Sequence, residues 1–301
     1  MADIRFDGRV AIVTGAGGGL GRAHAILLAS RGAKVVVNDL GGAFDGTGSG
    51  SATMAQKVCD EIKAAGGEAV PDYNSVSTPE GAAGIVKTAL DKFGKLDIVI
   101  NNAGILRDKS IVKMEEDDWR KVIQVHLDGS YFVTKAAWEH LRANNFGRVI
   151  FTTSAAGLYG NFGQTNYSAA KMGIVGLVNT LKLEGQKYNI FSNAIAPVAG
   201  TRLTATVMPQ AMLDMLKPEA VSPLVAYLCS DECTVNGRVF ACAAGHFAVT
   251  QLVEAKGATI KGDVSPEAVR DNMDQIMDLD GAVTFNQAGE AGAKVFAAIS
   301  G

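Results

Sequence analysis

The chain has no apolar run approaching the roughly 20 residues that a membrane-spanning helix needs. It has no surplus of positive charge: 28 Lys and Arg stand against 31 Asp and Glu, a net charge of −3. That balance leaves no basic footprint for nucleic acid or for an anionic membrane surface. Met1 to Asp7 are mixed and charged, without an apolar core segment, so no secretory signal is expected. Ile299-Ser300-Gly301 is not the Ser-Lys-Leu peroxisomal address. Cysteine is scarce. Cys229 and Cys233 have no further Cys or His ligand set nearby, and Cys59 and Cys242 stand apart, so no metal site is expected. Reduced, mostly buried thiols in a cytoplasmic protein are the expectation.

What is present suits a folded enzyme. Apolar residues make up 48% and charged residues 20% of the 301 positions, enough for one large α/β domain and an appendage rather than a disordered chain. Short apolar runs recur at Arg9–Thr14, Ala33–Asn38, Leu96–Asn101, Arg148–Thr153, Ser192–Ala196 and Val239–Ala243. Helix-length segments separate them, at Gly21–Ser30, Thr53–Ala65, Pro79–Phe93, Glu116–Asn144 and Tyr167–Tyr188. Strands that alternate with helices predict an α/β fold, a Rossmann-like doubly wound parallel sheet. Residues 41–51 are too glycine-rich for regular structure and read as an insertion after the second strand. The sheet pattern stops at Gly245, which divides the chain into a dinucleotide-binding and catalytic domain, 1–245, and a short helical C-terminal extension, 246–301. In that extension Ser265-Pro266 reads as a helix start, with a helix to about Leu279 and a second over Ala291–Ile299.

Thr14-Gly15-Ala16-Gly17-Gly18-Gly19-Leu20-Gly21 joins the first strand to the first helix. Glycines let the backbone turn tightly and approach a pyrophosphate, which the free N–H groups of a helix N-terminus attract. In this strand–turn–helix context the loop predicts a dinucleotide site, with Gly15, Gly19, Leu20 and Gly21 as contacts. Asp39 closes the second strand, where an acid accepts hydrogen bonds from the adenosine ribose. A carboxylate there repels the extra phosphate of NADP, and no Arg or Lys precedes Gly21 in the loop or directly follows Asp39. NAD is therefore the expected cofactor; the plainer reading of Asp39 is a strand-end turn residue.

Tyr167-Ser168-Ala169-Ala170-Lys171 puts a phenol and an ammonium at i and i+4 on one helix face. The ammonium is expected to favour phenolate and lower the tyrosine pKa, which suits a general acid–base for a hydroxyl group. Ser154 ends a strand and can donate a hydrogen bond to a substrate oxygen. Ser154, Tyr167 and Lys171 form the candidate catalytic set.

With the glycine loop and Asn101-Asn102-Ala103-Gly104, these motifs resemble the short-chain dehydrogenase/reductase family over residues 9–245. The resemblance implies cofactor contacts from Asn102, from Tyr167 and Lys171, and from Val198 to Thr201 beside the nicotinamide. It also implies that Ser75-Val76 lies against the adenine, although Ser75 stands where the family usually has Asp. His126 stands where the family commonly has an Asn that holds a water leading to the lysine. It either does the same or is a hydrogen-bonded core residue.

Longer strings narrow the resemblance: Phe6–Val10, Val35–Gly42, Asn102–Asp108 and Tyr159–Gln164 are similar to the dehydrogenase unit of peroxisomal multifunctional enzymes of type 2. The chain looks like a stand-alone version. The implied activity is oxidation of (3R)-hydroxyacyl-CoA to 3-ketoacyl-CoA with NAD, with a 17β-hydroxysteroid or steroid-side-chain dehydrogenase as the nearest alternative. A catalytically silent NAD-binding regulatory protein is the rival of another class. The resemblance further implies a homodimer or homotetramer built on the segments Glu116–Asn144 and Tyr167–Tyr188, where apolar residues such as Val122, Tyr131, Val133, Met172, Ile174 and Val178 extend beyond one face. For the extension it implies a part in the substrate pocket at a subunit interface; the alternative is a structural cap.

Overall fold

The structure is a computed structural model that describes residues 3–42, 45–46, 53–200 and 209–300. β1 (Val10–Thr14) is buried at every position, and β2 (Lys34–Asn38) carries three consecutive valines. With β3 (Glu68–Asp72), β4 (Ile98–Asn101), β5 (Gly147–Thr152), β6 (Ile190–Pro197), β7 (Val239–Ala243) and β8 (His246–Thr250), they form one sheet in the order 3-2-1-4-5-6-7-8. Pairing is parallel from β3 across to β7. Such strands are covered on both faces, hence their continuous rather than alternating apolar character.

The helices are α1 (Gly19–Ser30), α2 (Thr53–Ala64), α3 (Pro79–Phe93), α4 (Glu116–Ile123), α5 (Gly129–Ala143), α6 (Ala155–Tyr159), α7 (Thr165–Gly185), α8 (Gln210–Met215) and α9 (Ser222–Cys229). Leu28 of α1, Ile62 of α2 and Val225 of α9 bury against Val13, Val35 and Ile100 on one face of the sheet. Ile85 of α3, Val133 of α5 and Ile174 of α7 bury against Ile12, Val36 and Val99 on the other. Successive strand residues therefore feed opposite cores, as the pleat requires.

Four features depart from the sequence expectation. β3 contains Pro71, which removes a ladder donor; the strand lies at the sheet edge, where that is tolerated. It stops at Asp72, so Ser75-Val76 belongs to the following loop. The sheet does not end at Gly245. Ala244 and Gly245, at φ 45° and 83°, make a two-residue turn into β8, and so short a connection between neighbours requires an antiparallel hairpin. The segment Glu116–Asn144 is not one α-helix, because a π-helical turn at Gln124–Asp128 separates α4 from α5.

The fourth concerns the tail. The chain divides into compact units at Val249/Thr250. The second unit contains α10 (Pro266–Asp271), α11 (Met273–Met277) and α12 (Ala288–Ser300), so the helix expected to reach Leu279 is broken at Asn272. Ser265 caps α10 as expected, accepting from the Ala268 N–H at 3.1 Å. No residue from 251 to 300 is buried.

A buried imidazole ties α1 to α9. His24 Nδ1 lies 2.8 Å from Ser222 Oγ, and burial pushes its pKa from 6.5 down to about 3. The unfolded chain thus binds this proton at a pH where the folded chain refuses it. Stability is fully present above about pH 6.5 and is lost as pH falls toward the folded value, at roughly 1 kcal/mol per pH unit. His24→Gln is expected to flatten the decline in Tm between pH 6 and about 4. Parallel wild-type and variant curves in a thermal scan across that range would contradict this account.

Candidate active site

The glycine loop follows β1, Asn102 follows β4, Ser154 follows β5 and Val198 follows β6, so the candidates converge on the carboxyl edge of the sheet. The strand order reverses between β1 and β4, and a crevice opens at such a switch point.

The loop is built for close approach. Gly15 and Gly19 have φ of 62° and 53°. The Asn102 amide donates to the carbonyls of Thr14 (3.0 Å) and Gly15 (3.1 Å), while Thr14 Oγ1 accepts from the backbone N–H groups of Asn102 and Ala103. The Asn102 side chain therefore braces the turn with its donor end. A Cβ on Gly21 would lie 2.4 Å from the Gly15 carbonyl oxygen. α1 has Gly18 at its N-cap, so no side chain caps it, and it has no acid in its first turn, so its leading N–H groups are open to an anion. Leu20, in that first turn, packs partly into the core.

Asp39 accepts from the Gly17 N–H at 2.8 Å and from the Gly41 N–H at 2.7 Å, which aims its carboxylate across the glycine loop. Behind it, buried Asp72 accepts from Asn38 Nδ2 (2.8 Å) and Thr88 Oγ1 (2.7 Å), fixing the ends of β2 and β3. Ser75 Oγ is engaged with Ser77 Oγ at 2.7 Å, so its hydroxyl is turned into its own loop; buried Val76 packs at Gly129. The Val198 N–H donates to the Cys242 carbonyl at 2.9 Å, leaving the Val198 carbonyl and its partly exposed side chain. Thr201 lies outside the described residues. A helix end with open N–H groups, a cradle that any Cβ would fill and a carboxylate aimed across the glycine loop fit a dinucleotide.

Ser154, Tyr167 and Lys171 are brought together. Ser154 caps α6, its Oγ accepting from the Ala156 N–H at 3.1 Å. Lys171 is buried, its Nζ 5.4 Å from the centre of the Tyr167 ring and donating to the Thr152 carbonyl at 2.5 Å. Burial pushes its ammonium down to about 7. The tyrosine departs from the sequence expectation. Burial pushes the phenol up from its ordinary value; the Ser154 hydroxyl pulls it back and the Asp108 carboxylate pushes it up further. The ammonium lies over the ring and is engaged with a carbonyl, so the depression expected from the i, i+4 spacing does not prevail.

His126 stands edge-on to Tyr167, ring centres 5.1 Å apart. Its Nε2 is 2.7 Å from the Ile105 carbonyl and 3.1 Å from the Ile105 N–H, while Nδ1 is buried without a partner. Burial, then Lys171, hold its pKa well below 6.5, so the ring is neutral. It is a hydrogen-bonded buried residue that also walls the candidate site.

Other supports carry no sequence motif. Thr153 Oγ1 donates to the Lys171 carbonyl at 2.7 Å. Asn166 Nδ2 donates to the Arg107 and Asp118 carbonyls, and its Oδ1 accepts from the Tyr167 N–H at 2.8 Å. A Cβ on Gly157 would meet Lys171 Cβ at 2.6 Å and the backbone N of Met172 at 3.0 Å, so only glycine lets α6 lie this close against α7. The contiguity of Asn166 with Tyr167 was the one available hint.

Residues 9–212 match the short chain dehydrogenase family. The chain is 53% identical over 282 residues to mouse peroxisomal multifunctional enzyme type 2, covering 93% of this chain but only 38% of that protein. It is 54% identical over 274 residues to a putative short-chain type dehydrogenase/reductase of Mycobacterium tuberculosis, covering 91% of this chain and 96% of the other. Among solved structures, a 7α-hydroxysteroid dehydrogenase complexed with NADH and 7-oxo glycochenodeoxycholic acid superposes with a TM-score of 0.73 at 28% identity, covering 81% of this chain and 98% of that one. On sequence and fold alike, the chain belongs to the short-chain dehydrogenase/reductase family, enzymes that oxidise or reduce at a CH–OH carbon.

Proposed function

We propose that this chain interconverts (3R)-hydroxyacyl-CoA and 3-ketoacyl-CoA, with NAD as its cofactor. The observation that carries the reaction class is the meeting of Ser154, Tyr167 and Lys171 at the carboxyl edge of the sheet. The acyl-CoA reading is supported by the similarity to the type 2 multifunctional enzyme. NAD, when bound, supplies the hydride acceptor at its nicotinamide ring. The Gly15–Gly21 backbone, Asp39, Val76, Asn102, Val198 and Thr201 would hold it, together with Tyr167 and Lys171. Ser154 holds the substrate oxygen by hydrogen bond, Tyr167 exchanges its proton, and Lys171 supplies positive charge beside the phenol. A second reading, a hydroxysteroid dehydrogenase, is favoured by the likeness to the 7α-hydroxysteroid enzyme. The complete Ser–Tyr–Lys set argues against a silent NAD-binding protein.

The test is NADH formation on (3R)- and (3S)-hydroxyacyl-CoAs of several lengths, with estradiol included and NAD compared with NADP. Turnover of the (3R) series is expected. NAD should be preferred at least about tenfold, since hydrogen bonds to a charged group contribute about 1.5–3 kcal/mol. Activity on estradiol alone, on the (3S) series alone, or with a preference for NADP would overturn the corresponding part.

We further propose a cytoplasmic homodimer or homotetramer. Among the described residues no helix is long and apolar enough to cross a membrane. Val122, Val133, Ile174, Val175 and Val178 are consumed by the subunit's own core, whereas Tyr131, Met172 and Leu183 stay exposed on α5 and α7 and support association there. Light scattering at micromolar concentration reads the assembly; a 31.3 kDa species alone would exclude it. The family resemblance alone carries the further proposal that the tail, on which Met277, Val295, Phe296 and Ile299 are exposed, takes part in the substrate pocket. Ending the chain after Thr250 should then raise KM for long acyl-CoAs while NAD still binds; unchanged kinetics would leave only a cap.

A further inference from the structure

Pro71 removes a ladder donor from β3, and the strand ends one residue later. The chain has to turn out of the sheet at Asp72, and an aspartate makes that turn by accepting from the backbone two residues on. The Asn74 N–H donates to Asp72 Oδ1 at 3.0 Å, and Asn74 Nδ2 donates to Asp72 Oδ2 at 2.8 Å. The other two donors come from elsewhere in the fold. Asn38 Nδ2, at the end of β2, donates to Asp72 Oδ1 at 2.8 Å and to the Asn74 carbonyl at 2.9 Å. Thr88 Oγ1, on α3, donates to Asp72 Oδ2 at 2.7 Å. The Asp72 carbonyl in turn accepts from the Asp39 N–H at 3.0 Å.

Four donors thus converge on one carboxylate, in a residue only 3% exposed and so out of a ligand's reach. What Asp72 holds is a spacing. On one side stands Asn38-Asp39, with the Asp39 carboxylate aimed across the glycine loop. On the other stands Asn74, from which the chain runs straight into Ser75-Val76. That loop is seated against α3 without slack. A Cβ on Gly84 would lie 2.8 Å from the Asn74 amide carbon, and one on Gly81 would lie 2.1 Å from the Ser75 carbonyl oxygen. Asn74 therefore has no room to move toward α3. If its bonds to Asp72 and Asn38 are lost it can move only outward, taking Ser75-Val76 with it and changing their distance from Asp39.

We propose that Asp72 is a positioning residue for the adenosine half of the cofactor: from behind β2 and β3 it fixes the spacing between the Asp39 carboxylate and the Ser75-Val76 loop, and so sets dinucleotide affinity. This rests on the dinucleotide site read above and adds to it a residue that touches neither cofactor nor substrate.

The test compares Asp72→Ala with Asp72→Asn. In the asparagine variant Oδ1 still serves Asn38 and the Asn74 N–H, and the Asn74 amide can turn its oxygen toward the new NH2 group. The probe is ADP-ribose, the cofactor without its nicotinamide, titrated calorimetrically. Affinity is expected to fall at least about tenfold in Asp72→Ala, where buried donors lose their acceptor, and to recover to within about threefold of wild type in Asp72→Asn. KM for NAD should rise with the loss, while kcat at saturating NAD and KM for the hydroxyacyl-CoA stay within about twofold. Asn38→Ala removes the bridge between Asp72 and Asn74 and should reproduce the loss, which keeps the test open if Asp72→Ala does not fold. Thr88→Val removes the α3 donor alone, so it should lower Tm and leave ADP-ribose affinity within about threefold. An affinity within threefold of wild type in Asn38→Ala, or an equal loss in Thr88→Val, would overturn the proposal. Absence of turnover on every (3R)-hydroxyacyl-CoA, with the ADP-ribose contrast intact, would sink the acyl-CoA reading and leave the role of Asp72 standing. Failure of the wild type to bind ADP-ribose would sink the dinucleotide site and this proposal together.

Discussion

Tyr167→Phe is expected to lower turnover by at least about a hundredfold while NAD binding stays within a few-fold, since a general acid–base group contributes about 10²–10⁴ in rate. The phenylalanine ring keeps the edge contact with His126 and its place under the Lys171 ammonium, so only the hydroxyl is lost. The pH dependence sharpens the test. Burial and Asp108 push the phenol up, so near neutrality it is protonated, the form that donates to a developing alkoxide during reduction. Oxidation needs the phenolate and should speed up as pH rises; reduction should slow over the same range. Both trends should vanish in the residual activity of Tyr167→Phe. Lys171→Ala should damage rate and cofactor affinity together, because its ammonium stands over the Tyr167 ring and is proposed above to help hold the cofactor. Retention of more than about a tenth of the wild-type rate by Tyr167→Phe would refute its acid–base role.

Gly21→Ala is expected to weaken NAD binding by about ten- to a hundredfold and to lower Tm. The new Cβ would sit 2.4 Å from the Gly15 carbonyl oxygen, 2.5 Å from Asn102 Nδ2 and 2.9 Å from Ala16 Cα. Two of these are backbone atoms, and the third belongs to a side chain held by two hydrogen bonds, so none can swing aside. α1 has to retreat, carrying its N-terminal N–H groups away from the anion position; such overpacking typically costs about 1–3 kcal/mol. Gly176→Ala on α7 is the control. Its Cβ would meet nothing within 4 Å, and alanine is favoured over glycine in a helix by roughly 0.5–1 kcal/mol. Calorimetric titration with NAD and a thermal scan separate the two; an affinity within threefold of wild type in Gly21→Ala would show that the close packing is dispensable.

What the sequence made legible was local. The glycine loop, Asp39 and the Tyr167–Lys171 spacing are contiguous strings whose geometry follows from one strand end or one helix. What it hid depends on distant partners. β8 is short, polar at His246 and exposed at Phe247 and Val249, so only its turn marks it. The direction of the Tyr167 shift is set by burial and by Asp108, 59 positions away along the chain. Arg107, Asp108 and Lys109 read as an ordinary charged loop, yet Arg107 and Lys109 find their partners, Asp117 and Asp118, in another element.

The π-helical turn between α4 and α5 has a consequence for phase. Asp118, Val122, His126, Ser130 and Thr134 are all buried, a repeat of four that an α-helix of 3.6 residues per turn cannot sustain. Each step of four advances the inward face by about 40°, and over this run the drift would carry either Asp118 or Thr134 to the outside. The wider turn at Gln124–Asp128 takes up one residue and lets the inward face run on from the Lys109 ion pair, through His126, to the Asn101–Thr134 hydrogen bond. Winding that turn as regular α-helix, with no residue removed, would rotate everything beyond it by about 100°, whereas deleting one residue from it would keep the two helices in phase. In the regularly wound helix Asp118 and Thr134 could no longer both face inward, so the register of this helix, rather than any one side chain on it, sets the wall behind Tyr167.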